Sequence, residues 1–275
     1  MQLVKKTRFA PYFLIGIFIL MAIWWVSIYL RGLVDDTENY YFGLAIGCAT
    51  VFGGIIGLTR AKIWGYMQSY VGKAITLFSI GLMTWGLGTI IFAYYNLFLT
   101  IAVPYPSLAD AAYIVSWPLW SIGVFYLSKA TGAGFQLRTV WGKIISVIVV
   151  AIALIASYYL LFVVARGGTF DLSSQDYLKL FFDFAYPVGD IFILTLALLT
   201  YGLSFNYLGG RYKWPTILIL LAFLLNYLAD FSFTYMTTIG TFYVASWVDM
   251  IYTAAFFAFS LGVSFFNPLT HRNDA

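Results

Sequence analysis

The chain has 275 residues, 62% of them hydrophobic and 9% charged, with a mean hydropathy of +0.89. This composition excludes a soluble domain whose helices carry one apolar face each, and it places the chain in a lipid bilayer. The formal net charge of +4 is accounted for by loop lysines and arginines and calls for no nucleic-acid partner.

Apolar runs of about 20 residues, the length that crosses a hydrocarbon core, recur at 10–30, 41–59, 75–98, 112–128, 143–165, 178–203, 214–236 and 248–266. The sequence predicts an all-α membrane protein of eight transmembrane helices. None of the connecting loops is long enough to fold by itself, so residues 1–275 form a single transmembrane domain. The first run follows Lys5, Lys6 and Arg8 but exceeds a signal-peptide core and has no small-residue cleavage site after it, so it reads as a retained signal anchor. Cys48, the only cysteine, falls in the second run and excludes both an intrachain disulfide and a cysteine metal site.

Lysines and arginines sort onto alternate sides of these runs. Lys5, Lys6, Arg8, Arg60, Lys62, Lys73, Lys129, Arg138, Lys143, Arg211, Lys213 and Arg272 fall on one side, against Arg31, Arg166 and Lys179 on the other. By the positive-inside rule both termini are cytoplasmic, and the basic loops suit anionic lipid headgroups. Asp35, Asp36, Glu38, Asp110, Asp171, Asp176 and Asp249 collect on the outer side.

A short motif repeats there. "DAAY" at Asp110–Tyr113 is matched by "DFAY" at Asp183–Tyr186 and "DMIY" at Asp249–Tyr252, with "ENYY" at Glu38–Tyr41 as a weaker copy. The acids are 72, 73 and 66 residues apart and each enters an even-numbered run, which predicts four helical hairpins in tandem. Helix capping explains three of them. Ser107 precedes Asp110 by three residues, Ser246 precedes Asp249 and Asp35 precedes Glu38, all at capping-box spacing, and an acid in a first turn also meets the positive end of the helix dipole.

Asp183 is different. Position 180 is a leucine, and the better capping pair for the sixth run is Ser173 with Asp176. Asp183, Tyr186, Pro187 and Asp190 then share one helix face at i, i+3, i+4 and i+7, and Asp190 falls near mid-membrane, where a carboxylate costs at least about 2.5–3.5 kcal/mol unless paired or protonated. Asn226 and Asp230, four apart in the seventh run, supply a partner face. Pro187 removes a backbone donor and frees the carbonyl of Asp183. The expected polar pocket is lined by Asp183, Tyr186, Asp190, Asn226, Asp230 and Tyr252 and ringed by Trp117 and Trp120. The competing reading is a purely structural clamp between the sixth and seventh helices, each hydrogen bond contributing about 0.6 kcal/mol.

"GLAIG" at 43–47 and "GGIIG" at 53–57 place small residues along the second run, the pattern of a close helix contact or a homodimer face. Trp64, Trp141, Trp214 and Trp247 read as interfacial anchors, whereas Trp24, Trp25 and Trp85 lie deeper. The single histidine, His271, lies in the tail, no lysine lies deep in a run, and no phosphate-binding glycine loop or Ser-His or Cys-His pair is present. The chain therefore reads as no enzyme, with no metal site and no cofactor.

The stretches "PSLADAAYIVSWPLWSIGVFYL", "DFAYPVGDIFILTLAL" and "LADFSFTYMTTIGTFYVASWVDMIYTAAFFAFSLG" resemble the multi-pass N-terminal membrane sensor regions of bacterial diguanylate cyclases and related signalling proteins. Those regions carry Pro-Ser-x-Ala-Asp, Ala-Tyr-Pro-x-Gly-Asp and a late Trp-x-Asp. The resemblance covers about residues 75–266. It implies an input module of a bacterial-type inner cell membrane and makes Asp110, Asp183, Tyr186, Pro187, Asp190, Asp230 and Asp249 positions of interest. No output domain follows Asn267 in this sequence, so signalling is expected to run through a separate partner. The expected function is a receptor-like sensory module that takes a small ligand, lipid or cation in the outer half of the bundle. The alternatives are a secondary transporter or proton-coupled permease, and a structural or assembly membrane protein.

Overall fold

Helix boundaries follow from capping chemistry as much as from apolar length. The computed structural model describes residues 9–133, 137–159, 177–204 and 212–266, except the side chains at 153, 156, 157, 179, 180, 183, 184, 187 and 238. The helices are α1 Ala10–Leu30, α2 Thr37–Ile63, α3 Tyr70–Tyr94, α4 Leu108–Thr131, α5 Val140–Tyr158, α6 Tyr177–Ser204, α7 Lys213–Thr238 and α8 Trp247–Ser264. Pro11 sits in the first turn of α1, where its missing N–H leaves no extra orphan. The Asp36 side chain caps α2 by accepting from Glu38 N at 2.9 Å, and Ser69 caps α3 by accepting from Gly72 N at 2.9 Å. α4 ends on Gly132 at φ +81°, a left-handed residue that glycine adopts without strain.

Among the described residues, six helices, α1 to α4, α7 and α8, are long and apolar enough to cross a membrane. Of the other two, the side chains described show apolar stretches at Val140–Ile152 and Val188–Ser204. α6 runs for 28 residues. The last part of the fifth expected run lies outside the described residues.

The ring order of the bundle is α2, α3, α4, α6, α7, α8, with α8 returning to α2, while α1 lies outside against α8 and α2 and α5 lies outside against α6. This groups the helices as two sets of four, each with its first helix outside. It departs from four equivalent hairpins, because α1 and α3 are not interchangeable. Gly47 on α2 and Gly86 on α3 bring two backbones together: a Cβ on either would stand 2.9 or 2.8 Å from the other's carbonyl oxygen. Gly16, the glycine of α1, has nothing within 4 Å. The glycine face of α2 is thus occupied within the chain by α3 and α8, including Ser260 opposite Gly53.

Aromatic side chains fill the ring's centre. Phe259 of α8 lies 5.4 Å from Phe78 of α3, 5.3 Å from Trp120 of α4 and 5.0 Å from Phe223 of α7, ring centre to ring centre. All four are buried. Arg60, counted among the loop charges, lies inside α2 and is 1% exposed.

Candidate functional site

The site starts at the first turn of α4. Asp110 is 7% exposed, and its Oδ2 accepts from Ser107 N at 2.6 Å and from Ser107 Oγ at 2.9 Å, completing a capping box with the Ser107 side chain. A carboxylate has a second oxygen. Asp110 Oδ1 accepts from the Tyr186 hydroxyl of α6 at 2.6 Å, so the residue that starts α4 also ties it to α6. Trp117, one helical face below, meets Tyr186 edge-on at 4.9 Å between ring centres. Close approach depends on Gly189, where a Cβ would lie 2.8 Å from Trp117 Cδ2.

One turn beyond Tyr186, Asp190 points into the bundle at 5% exposure, with Asn226 of α7 equally buried beside it. Asn226 Nδ2 donates to Asp230 Oδ2 at 2.7 Å and, more weakly, to Asp190 Oδ1 at 3.4 Å. The Tyr252 hydroxyl of α8 donates to Asp230 Oδ1. Four side chains from α6, α7 and α8 therefore form one continuous polar cluster, and Tyr186 joins it to Asp110 along α6.

The repeated motif acquires a structural meaning here. Tyr113 of α4 donates to Thr89 Oγ1 of α3 at 3.4 Å, Tyr186 of α6 to Asp110 of α4, and Tyr252 of α8 to Asp230 of α7. Each tyrosine hydroxyl reaches the preceding helix of the ring. Tyr41, in the weaker copy, is exposed instead. Trp85 of α3 closes the cluster from the side, 4.7 Å from Tyr113, 5.3 Å from Tyr252 and 4.0 Å from Phe256.

Several expected roles change. Glu38 does not cap α2; Asp36 does, and Glu38 instead accepts from Arg31 Nη2 at 2.5 Å and Trp24 Nε1 at 2.8 Å. Its longer side chain reaches back to the C-terminal turn of α1. Asp249 accepts from Ala245 N at 2.6 Å rather than from Ser246, and so steadies Ala245 at φ +64°. Trp120 does not ring the polar cluster. It is 1% exposed and sits one layer further in, against Phe223 and Phe259. The side chains of Asp183 and Pro187, and Ser173, Asp176 and His271, lie outside the described residues. Trp85, Tyr113 and Asp110 are the members of the cluster that spacing alone did not assign.

In comparisons with protein-family models, curated proteins and solved structures, the chain matches none.

Proposed function

We propose that the chain is a membrane-embedded receptor-like module. It takes a small ligand in the polar cluster of α4, α6, α7 and α8 and passes the event to a separate partner by movement of α6 against its neighbours. The supporting observation is one-sidedness. The cluster lies in the half of the bundle that holds the start of α4 and α8, and the aromatic layer of Phe78, Trp120, Phe223 and Phe259 closes the ring beneath it. A permease needs access to its site from both faces. With both termini cytoplasmic, as the basic loops argue, the cluster faces outward.

α6 is the mobile element in this reading, because it carries Tyr186 to Asp110 on one side and Asp190 to Asn226 on the other. Neutralising an acid of the cluster imitates occupancy without knowledge of the ligand. Spin labels at Leu198 and Phe265, both exposed, with Cys48→Ser as background, report the separation of α6 and α8 beyond the aromatic layer. The expected result in lipid vesicles is a changed distance distribution on Asp230→Asn. An unchanged distribution, or proton uptake driven across the vesicle by an imposed gradient, would overturn the receptor reading.

A further inference from the structure

The basic side of the bundle holds a second group of converging side chains, remote from the acids. Lys73, whose N–H donates to Ser69 O at 2.8 Å, closes the first turn of α3, and Lys129 lies in the last turn of α4, which packs along α3. Both ammonium groups turn onto the same rings. Lys73 Nζ stands 5.9 Å from the centre of the Tyr70 ring and 5.0 Å from that of Tyr126, while Lys129 Nζ stands 5.6 Å from Tyr70 and 4.4 Å from Phe125. Tyr70 and Tyr126 stack on each other across the contact of the two helices, 6.2 Å between centres.

An aromatic face attracts a cation but carries no net charge, so the rings hold the two ammonium groups without neutralising them. The one acid in either helix is Asp110, at the opposite end of α4, and neither lysine has a carboxylate partner among the described residues. Two ammonium groups over one ring repel each other, and Lys73 also meets the positive end of the α3 dipole. The group lacks an anion.

We infer that Lys73 and Lys129, with the hydroxyls of Tyr70 and Tyr126, bind the headgroup phosphate of one anionic phospholipid. Lysine and tyrosine at helix ends reach the depth at which lipid phosphates lie, and a basic pocket between helices on the cytoplasmic side takes anionic headgroups. The surface is open to lipid, with Tyr70 50% and Phe125 51% exposed. Ile122 and Phe125, both exposed, share one face of α4 with Lys129 at i, i+3 and i+7. This face leads from the ammonium group towards the bilayer interior, where an acyl chain below the phosphate lies against it. A soluble phosphate gains nothing from that apolar strip, so the occupant is a lipid.

The site does not depend on the receptor reading, since it and the acidic cluster stand at opposite ends of α4. The full chain, in non-ionic detergent, is titrated with dioleoylphosphatidylglycerol or dioleoylphosphatidylcholine. Native mass spectrometry counts the lipids retained, and thermal unfolding is followed in parallel. The expected result is one phosphatidylglycerol retained in preference to phosphatidylcholine, with saturable stabilisation. The double variant Lys73→Gln/Lys129→Gln should weaken retention at least about tenfold, and Lys73→Arg/Lys129→Arg should preserve it. Lys62→Gln/Lys213→Gln removes the same charge from exposed positions on the same side and should leave retention unchanged. If the first double variant fails to fold, Lys129→Gln alone, at an exposed side chain, should still weaken retention. Equal losses in the two glutamine pairs would mean diffuse attraction by the whole basic face and would overturn the site. Equal retention of the two lipids, or equal stabilisation by glycerol 3-phosphate at matched concentration, would overturn it as well, the latter in favour of a soluble phosphate.

Discussion

α1 and α8 invert the rule that apolar helices lie inside. α1 is the most apolar of the six long spans, yet 17% of its most apolar window is buried; α8 is among the least apolar, and 67% of its window is buried. The difference follows from the solvent. Lipid tails are as apolar as leucine, so burial of a large aliphatic side chain against protein gains little over leaving it in lipid. Helix contacts are instead marked by small and weakly polar residues that let backbones approach, with the aromatic layer filling the centre between them. α8 buries Thr253, Ala255, Ala258, Ser260, Gly262 and Ser264, whereas α1 buries Leu14, Met21 and Ile28, a single seam at seven-residue spacing. Between these two helices, higher hydropathy goes with contact with lipid, and small residues, set beside the aromatic layer of Phe256 and Phe259, go with contact between helices.

The largest effect expected from this contrast lies in the aromatic layer. Phe259→Ala empties a position that touches α3, α4 and α7 together, and the cavity should lower stability by about 3–5 kcal/mol. Phe13→Ala on α1, 56% exposed, should cost a small fraction of that. Thermal or denaturant unfolding of both variants in the same detergent checks it, and similar losses in the two would erase the distinction.

Next in size is the contact of α2 with α3. Gly47→Leu places a side chain against the Gly86 backbone, which cannot yield as a side chain can, so a loss of about 1–3 kcal/mol or more is expected. Gly16→Leu on α1, with nothing within 4 Å, should be neutral or slightly stabilising, since leucine is the better helix former. The ordering of the two unfolding midpoints decides the matter.

Much of this was legible in the sequence, for identifiable reasons. The helices appear where the apolar runs do, but α2, α3 and α4 begin at Thr37, Tyr70 and Leu108, about a turn before their runs, because capping turns are polar. Asp190, Asn226 and Asp230 could be paired in advance because each is too costly to leave alone at depth. The bond from Tyr186 to Asp110 could not. It joins residues 76 apart on helices that are not consecutive, and the capping role had accounted for Asp110 through one carboxylate oxygen. Trp120 was assigned to the wrong layer because periodicity gives the face of a helix and not the depth of its partner. The exclusion of α1 from the ring was visible only as a lack of small residues, a signal that high hydropathy obscures.

Tyr252→Phe sharpens the comparison on the polar side. The substitution removes the hydroxyl donated from α8 to Asp230 while keeping the ring against Trp85 and Phe256. Interhelical hydrogen bonds of this kind contribute about 0.6 to 1.7 kcal/mol, and a loss in that range is expected by unfolding assay. Trp24→Phe, which removes the α1 donor to Glu38 at the exposed end of the helix, should cost less. A larger loss for Trp24→Phe would mean that α1 is held by its polar end and not by its seam.

The smallest effects should separate adjacent residues of α1 itself. Leu20 is 68% exposed and Met21 is 6% exposed, so the two differ in partner while sharing a helix, a depth and an apolar character. Leu20→Ala exchanges lipid contact for lipid contact, and it should alter stability by no more than about 0.5 kcal/mol. Met21→Ala instead opens the seam at the apolar crevice lined by Leu14, Ile17, Phe18, Ile46, Ala49 and Phe257. Lipid can enter a crevice at the edge of the bundle, so the loss should fall at the low end for a buried methionine, about 2 kcal/mol. The readout is the fraction of chain unfolded in sodium dodecyl sulfate titrations, with helicity followed by circular dichroism so that loss of α1 alone is distinguished from global unfolding. If Leu20→Ala proves as damaging as Met21→Ala, α1 packs on its outer face as well, and the contrast with α8 dissolves. If neither has any effect, the seam at Leu14, Met21 and Ile28 contributes no stability, and α1 is attached to the bundle by the bonds of Trp24 and Trp25 to Glu38, Ala245 and Ser246.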